Sequence, residues 1–174
     1  MASAVEIERK FIIKIPDMAE LSAKSDYTSS EIVQIYLKSA KGVTHRIRSR
    51  RFADKTEYTE TLKVRIDKMS VNESESEITE ERFLVLKDSI AQGSEPITKV
   101  RHTFSFLGHV FEIDVYPAWK STCIMEVELG SREEKIDFPE FITVLAEVTG
   151  DKRYSNAAMS HSFPEEITCD TSCR

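Results

Sequence analysis

The sequence predicts an α+β protein built on a closed, antiparallel, eight-stranded β-barrel with a polar, charged lumen and helices packed on the outside. The first observation is that polar and apolar residues alternate with a period of two in eight separate segments. Successive side chains of a strand point to opposite faces, so each segment would have one polar and one apolar face. The second observation is that, after the mixed first segment, the charged segments are each acidic or basic. Solvated strands usually mix signs, so we expect the polar faces to converge on a lumen, with the apolar faces outward.

The eight segments follow one another along the chain, separated by predicted turns and helices. Turns are predicted at residues 42–43 and 53–55, and a loop at residues 92–96. The register of the segment at residues 73–77 is left open by the sequence. The polar residues that define the segments are, in order, Glu6, Glu8 and Lys10; Gln34 and Tyr36; Arg46, Arg48 and Arg50; Thr61, Lys63 and Arg65; Glu73, Glu75 and Glu77; Lys99 and Arg101; Glu112 and Asp114; and Glu126 and Glu128.

Three helices are predicted between or after these strands. The first follows Pro16 over residues 17–24, and the second covers residues 80–91, where apolar residues recur at helical spacing. The third covers residues 139–148 and is expected to end before Gly150. The folded domain is expected to span residues 1–162, and residues 163–174 are expected to form a mobile tail.

Composition limits the classes of function. The formal net charge of −6 argues against nonspecific nucleic-acid binding, although it allows a local basic site. No apolar run approaches the ~20 residues of a membrane span, and no secretory signal begins the chain, so a cytoplasmic location without membrane association is expected. The three cysteines, Cys123, Cys169 and Cys173, form no zinc or disulfide pattern. A homodimer is left open.

The number of charged residues predicts the chemistry of the lumen. Nine carboxylates and eight cations define the charged segments. They cannot all pair in a dry interior, because desolvation costs several kcal/mol per ion. Clustered Arg and Lys side chains suit a chain of several phosphates, and glutamates spaced i, i+2 supply the oxygen ligands that Mg²⁺ or Mn²⁺ prefers. The pattern therefore predicts a site for a metal and a polyphosphate.

In this order the motifs resemble those of the CYTH superfamily, the triphosphate tunnel metalloenzymes, and in particular the short bacterial inorganic triphosphatases. The resemblance extends over roughly residues 4–162, and its closing part is a Tyr-x-Asn turn at Tyr154 and Asn156. No single motif is specific, so the resemblance depends on the ordered set. The matching motifs are Glu-x-Glu-x-Lys at 6–10, Gln-x-Tyr-Leu at 34–37, Arg-x-Arg at 46–48, Thr-x-Lys at 61–63, Lys-x-Arg at 99–101, the acidic pair ending at Asp114, and Glu-x-Glu at 126–128.

The resemblance implies a metal-dependent enzyme that hydrolyses the terminal phosphoryl group of a triphosphate, with inorganic tripolyphosphate as the expected substrate. It implies Lys10 and Tyr36 as the catalytic pair, in which a nearby ammonium lowers the pKa of the tyrosine. Glu75 and Glu77 are expected to be further lumen acids, and Mg²⁺ or Mn²⁺ the cofactor. The implied metal ligands are Glu6, Glu8, Asp114, Glu126 and Glu128, and the implied substrate contacts are Lys10, Arg46, Arg48, Lys63, Arg65, Lys99 and Arg101.

Other functions share the same phosphate and metal residues. Within the family these are class IV adenylate cyclase and nucleoside or thiamine triphosphatase. A noncatalytic polyphosphate-binding module is a different class, but it should lack the acidic pairs that this chain retains at both ends of the motif series. The sequence does not determine the physiological substrate, the preferred metal, the oligomeric state or the role of Cys169 and Cys173.

Overall fold

The computed structural model of the protein describes residues 7–65, 71–131 and 133–168. Most of this chain forms antiparallel strands joined by short helices and turns. The strands belong to two compact units, each with its own hydrophobic core. The first unit comprises residues 1–29, 100–152 and 165–174, and the second comprises residues 30–99 and 153–164.

Each of the eight predicted segments forms a strand, so this part of the prediction is confirmed. The first two predicted helices also form, although both are shorter than expected. None of the helices in the described ranges has the length and apolar character that crossing a membrane requires. The elements are β1 (Ile7–Lys14), α1 (Met18–Ser22), β2 (Thr28–Tyr36), β3 (Val43–Arg51), β4 (Thr56–Arg65), β5 (Val71–Glu77), α2 (Glu80–Leu86), a 3₁₀ turn (Lys87–Ser89), β6 (Ile97–Phe106), β7 (His109–Val115), β8 (Thr122–Leu129), β9 (Val144–Glu147), a second 3₁₀ turn (Lys152–Tyr154) and α3 (Asn156–Met159).

The prediction of a third helix over residues 139–148 is wrong. This stretch contains a turn and then β9, which pairs antiparallel with β1. The N–H of Val148 donates to the carbonyl oxygen of Lys10 at 2.8 Å, and the N–H of Lys14 donates to the carbonyl oxygen of Thr143 at 3.0 Å. Without β9, these backbone groups of β1 would lack strand partners, and satisfying them outweighs the helical spacing of the apolar residues.

The number of strands corrects the predicted architecture. Nine strands are present in the described residues instead of eight. In the first unit the strand order is β6-β7-β8-β1-β9, and in the second it is β5-β4-β3-β2. No pairing joins the two ends of either row within the described ranges, so closure into a barrel is not confirmed. The coarser prediction of a mainly antiparallel α+β fold is confirmed.

The first unit buries one face of its sheet beneath α1 and residues 136–142. Phe11 of β1 packs edge-to-face on Phe138, with ring centroids 5.2 Å apart. Leu21 of α1 joins the same core. Because side chains alternate along a strand, Lys10 lies on the opposite face of β1 from Phe11. The core thus fixes which face of this sheet carries the charges.

The second unit covers the apolar face of its sheet with α2. Phe83 of α2 is buried in a core that includes Ile35 and Ile47. An ion pair anchors the same helix, because the guanidinium Nε of Arg82 lies 3.0 Å from Oε2 of Glu60 on β4. The expected cover of the apolar face by a helix is therefore present in this unit, and it leaves the other face for polar residues.

The carboxylate of Glu166 attaches the C-terminal segment to the start of β8. It accepts hydrogen bonds from the backbone N–H groups of Lys120, Ser121 and Thr122 and from the Ser121 and Thr122 hydroxyls, at 2.6 to 3.1 Å. The Ser121 amide contributes most, and together these donors lower the pKa of Glu166 to about 2. The mobility expected for residues 163–174 stays a prediction, but Glu166 itself is fixed by contacts.

Replacing Glu166 by glutamine is expected to destabilise the protein at pH 7, because the amide is a weaker acceptor for these five donor groups. The folded-state pKa lies below the ordinary glutamate value of 4.5, so the stabilisation is present above about pH 4.5 and is lost as pH falls toward 2. Urea unfolding at pH 7 and pH 3.5 should show a difference between wild type and variant that shrinks in acid. Glu165→Gln is the matched control. A difference that does not change with pH would contradict the assignment.

Candidate functional site

Carboxylates on β1, β7 and β8 line a cavity of about 220 Å³ in the first unit. The strand register brings them together, because Glu126 of β8 lies opposite Lys10 on one side and opposite Glu112 on the other. Glu8 lies opposite Glu128 in the next row of the same face. The lining residues are Glu8, Val110, Glu112, Glu126 and Glu128.

Lys10 forms a close ion pair with one of these carboxylates. Its Nζ lies 2.7 Å from Oε1 of Glu126 and 4.0 Å from Oε1 of Glu8. The side chains of Lys10 and Glu126 are only 15% and 14% exposed, so water screens this pair poorly. The ammonium group thus lies at the edge of the acidic cavity and binds chiefly to Glu126.

Arg101 is the second cation on this face, and it contacts three carboxylates. Its Nε and Nη2 donate to the two oxygens of Asp114, both at 2.7 Å. Nη2 also lies 3.0 Å from Oε2 of Glu126, and Nη1 donates to Glu112. Burial opposes the charge on Arg101, but the hydrogen bonds to Asp114 and the three negative charges outweigh burial, so the pKa of Arg101 is raised.

The cavity has the donor chemistry that a hard divalent cation requires, since four carboxylates supply only oxygen atoms. In the described residues no three acidic, histidine or cysteine side chains are already close enough to hold an ion. Glu6 lies outside the described residues. Asp114 is 1% exposed and holds Arg101 with both oxygens, whereas Glu112, which is not among the predicted ligands, lines the cavity.

The second unit carries a different charged face, in which arginines predominate. Arg46 and Arg48 of β3 both reach Glu75 of β5, at 3.1 and 3.2 Å. The hydroxyl of Thr61, on the strand between them, donates to Glu75 at 2.7 Å and accepts from Arg46 at 3.0 Å. One exposed carboxylate thus orients two guanidinium groups.

Tyr36 is the predicted catalytic tyrosine, and it lies on β2 in the second unit. The amide Nε2 of Gln34 donates to its hydroxyl oxygen at 2.7 Å. Burial raises the pKa of Tyr36, and the nearby charge of Arg46 opposes this shift only in part. The surroundings in its own unit therefore do not lower the pKa as expected. Lys10 belongs to the first unit, and its pairing with Tyr36 stays a prediction.

The remaining predicted residues of the second unit have varied surroundings. The strand register places Glu73, Glu75 and Glu77 opposite Lys63, Thr61 and Thr59, which settles the register that the sequence left open. Lys63 forms an exposed ion pair with Glu73 at 2.8 Å. Lys99 is buried at 5% exposure. The Arg65 side chain lies outside the described residues. The sheet thus brings the predicted cations of β3 and β4 to one face.

Solved structures of other proteins are similar to this chain over most of its length. Two structures of the protein NE1496, named an inorganic triphosphatase in one and a hypothetical protein in the other, are 28% identical to this chain. Their TM-scores are 0.65 and 0.61, and the alignments cover 94% and 92% of this chain and 99% and 100% of NE1496. A conserved hypothetical protein from Pyrococcus furiosus shares the fold, with 22% identity, a TM-score of 0.51 and coverage of 74% of this chain and 81% of that protein.

Comparison at the level of sequence gave no further assignment. No protein-family model matches the chain. No curated protein matches it either. The resemblance to the CYTH superfamily rests instead on the motif series together with the similarity to NE1496 in fold, length and sequence. The chain accordingly resembles the CYTH superfamily, and within it the short bacterial inorganic triphosphatases.

Proposed function

We propose that this protein hydrolyses the terminal phosphoryl group of a triphosphate, with inorganic tripolyphosphate as substrate, in a reaction that requires Mg²⁺ or Mn²⁺. The observation that carries the proposal is the similarity to NE1496, named an inorganic triphosphatase, over 99% of the length of that protein. The acidic cavity beside Lys10 and Arg101 supports it, because this reaction needs charge neutralisation and positioning more than covalent chemistry.

The carboxylates of the cavity are the groups that would hold the metal. Glu8, Glu126 and Glu128 are three of the predicted ligands, Glu112 joins them in the cavity lining, and Glu6 stays a further predicted ligand. A divalent cation there would neutralise negative charge on the phosphoryl oxygens. Asp114 has a different role in this proposal: its two oxygens hold the guanidinium of Arg101 in a fixed orientation.

Each unit has cations that would bind phosphate oxygens. Arg46 and Arg48 are pre-oriented by Glu75, so little side-chain entropy is lost when they bind an anion. Arg101 is held in the same way by Asp114. Lys10 differs, because an ammonium group on a flexible stem can follow the phosphate during the reaction. These residues supply the positioning and charge that phosphoryl transfer requires.

The proposal is tested by measuring phosphate and pyrophosphate release from tripolyphosphate, ATP and thiamine triphosphate in parallel. Each reaction is run with Mg²⁺, with Mn²⁺ and with chelator, and cyclic AMP is assayed in the ATP reactions. Metal-dependent turnover of tripolyphosphate above the other substrates supports the proposal. Cyclic AMP would make the protein a cyclase, preferential turnover of ATP or thiamine triphosphate would change the substrate, and binding without turnover would indicate a polyphosphate-binding module.

Replacing Tyr36 by phenylalanine tests the proposed catalytic pair. If the phenolate activates water, turnover should fall by about 10²-fold, the usual contribution of a general base. Because burial raises the pKa of Tyr36 above the ordinary tyrosine value of 10.0, the wild-type rate should still rise with pH in the alkaline range, and the variant should lose this rise. Tyr58→Phe is the control, since the Tyr58 ring packs on Phe83 of the core. An unchanged alkaline pH–rate profile in Tyr36→Phe would remove the tyrosine from the mechanism.

A further inference from the structure

Glu126 has two incompatible roles in the charged face of the first unit. It lines the acidic cavity, and its two oxygens are already occupied by cations of the protein. Oε1 accepts the ammonium of Lys10 at 2.7 Å, and Oε2 accepts Nη2 of Arg101 at 3.0 Å. A divalent cation that coordinates the same carboxylate would therefore compete with Lys10 or Arg101, because like charges repel strongly in a poorly screened site.

The two protein cations differ in how firmly they are held elsewhere. Arg101 keeps its paired hydrogen bonds to Asp114 when the contact with Glu126 is lost. Lys10 has only one other described ion-pair partner, Glu8 at 4.0 Å, which is beyond hydrogen-bond distance. Loss of Glu126 as a partner would thus leave Arg101 in place and set the Lys10 ammonium free.

We propose that Glu126 masks Lys10, and that a cation bound at Glu126 releases the Lys10 ammonium to the anionic substrate. Metal and polyphosphate then bind cooperatively, because each removes one partner from the same ion pair. By linkage, the metal tightens the binding of the anion by the same factor as the anion tightens the binding of the metal. The choice of a triphosphate as the anion rests on the function proposed above, whereas the masking itself rests on the ion-pair geometry.

The first test measures tripolyphosphate binding by titration calorimetry in the presence of chelator, without any metal. Glu126→Gln should bind the anion about tenfold or more tightly than wild type, because a neutral amide holds the ammonium weakly. Glu128→Gln is the matched control. It removes the same charge from the same cavity, but Glu128 forms no ion pair with a described cation, so it should change the affinity by less than about threefold. Equal affinities of the two variants would overturn the proposal.

Removing Lys10 tests the same ion pair from its other side. In the Glu126→Gln background, Lys10→Met should abolish the gain in affinity for tripolyphosphate. In the wild-type background, Lys10→Met should bind Mn²⁺ alone about tenfold more tightly, measured by electron paramagnetic resonance of free Mn²⁺, because the competitor for Glu126 is gone. Lys14→Met changes the charge of the same strand equally at an exposed position and should leave Mn²⁺ affinity within about threefold.

These readouts separate the proposal from the proposed function. Calorimetry and Mn²⁺ binding require no turnover, so the predicted pattern in a protein that hydrolyses no triphosphate would support masking and overturn the triphosphatase function. If tripolyphosphate is hydrolysed but Glu126→Gln and Glu128→Gln bind it with equal affinity, the triphosphatase function is supported and masking is overturned. If no variant binds tripolyphosphate or Mn²⁺, both proposals are overturned. Thermal unfolding of each variant confirms that it is folded before binding is compared.

Discussion

Replacing Arg101 by leucine is expected to lower the free energy of unfolding by about 3–5 kcal/mol, the range for removing one partner of a buried ion pair. Arg101 is 13% exposed and its partner Asp114 is 1% exposed. Leucine fills part of the volume but leaves the Asp114 carboxylate without its guanidinium, and Glu112 and Glu126 lose the same cation.

Urea unfolding followed by circular dichroism measures this effect, with Arg9→Leu as the matched control. Arg9 also donates two hydrogen bonds to one carboxylate, that of Glu147, but in this pair the side chains are 32% and 42% exposed. We expect its loss to lower the free energy of unfolding by at most about 1 kcal/mol. Adding Asp114→Asn to Arg101→Leu should recover part of the stability by removing the buried charge. Equal destabilisation by the two arginine variants would contradict the argument.

The strands could be predicted from the sequence because each has its charges and its apolar residues on opposite faces. In β3, for example, Arg46 and Arg48 flank the fully buried Ile47. Neighbouring residues lie on opposite faces in this way only when side chains alternate with a period of two, as in a strand. The ninth strand has no such pattern. Its apolar residues recur at helical spacing and favour a helix. It forms a strand because it pairs with the edge of β1, which lies far away along the chain.

The site could be predicted less completely, because alternation gives the face of a residue but not its position across the sheet. Glu112 and Asp114 share a face of β7, and the motif series predicts Asp114 as a metal ligand. The register places Glu112 opposite Glu126 at the cavity, whereas Asp114 lies opposite Ile124 of β8 and opposite Arg101 of β6. Only the pairing of β7 with β8 distinguishes the two acids.

The influence of its own unit on the pKa of Tyr36 could not be predicted from the sequence for a related reason. A motif shows which charged groups lie close in sequence, but desolvation depends on how deeply the ring is covered. In the structure burial is the largest influence on the hydroxyl, and it raises the pKa. For the phenolate to act as a base, an ammonium close to it in the substrate complex would have to lower the pKa of Tyr36 by more than burial raises it.

Replacing Glu126 by glutamine is expected to reduce metal-dependent turnover of tripolyphosphate by about a thousandfold. Glutamine removes one negative charge from the cavity that is proposed to hold the metal. A metal ion contributes several kcal/mol to phosphoryl transfer, and each 1.36 kcal/mol corresponds to a factor of ten in rate. Initial rates over a range of Mg²⁺ concentrations measure the effect, and Glu20→Gln on the exposed surface of α1 is the control.

The same substitution should separate binding from catalysis. Because Lys10 is released, KM for tripolyphosphate should not rise, so the loss should fall on kcat. Loss of a contact that forms only in the transition state lowers kcat and does not raise KM. A general distortion of the site would raise KM as well. Full activity of Glu126→Gln at low Mg²⁺ would contradict the assignment of Glu126 as a metal ligand. A large rise in KM with kcat unchanged would instead make Glu126 a residue that only orients the cations around the substrate.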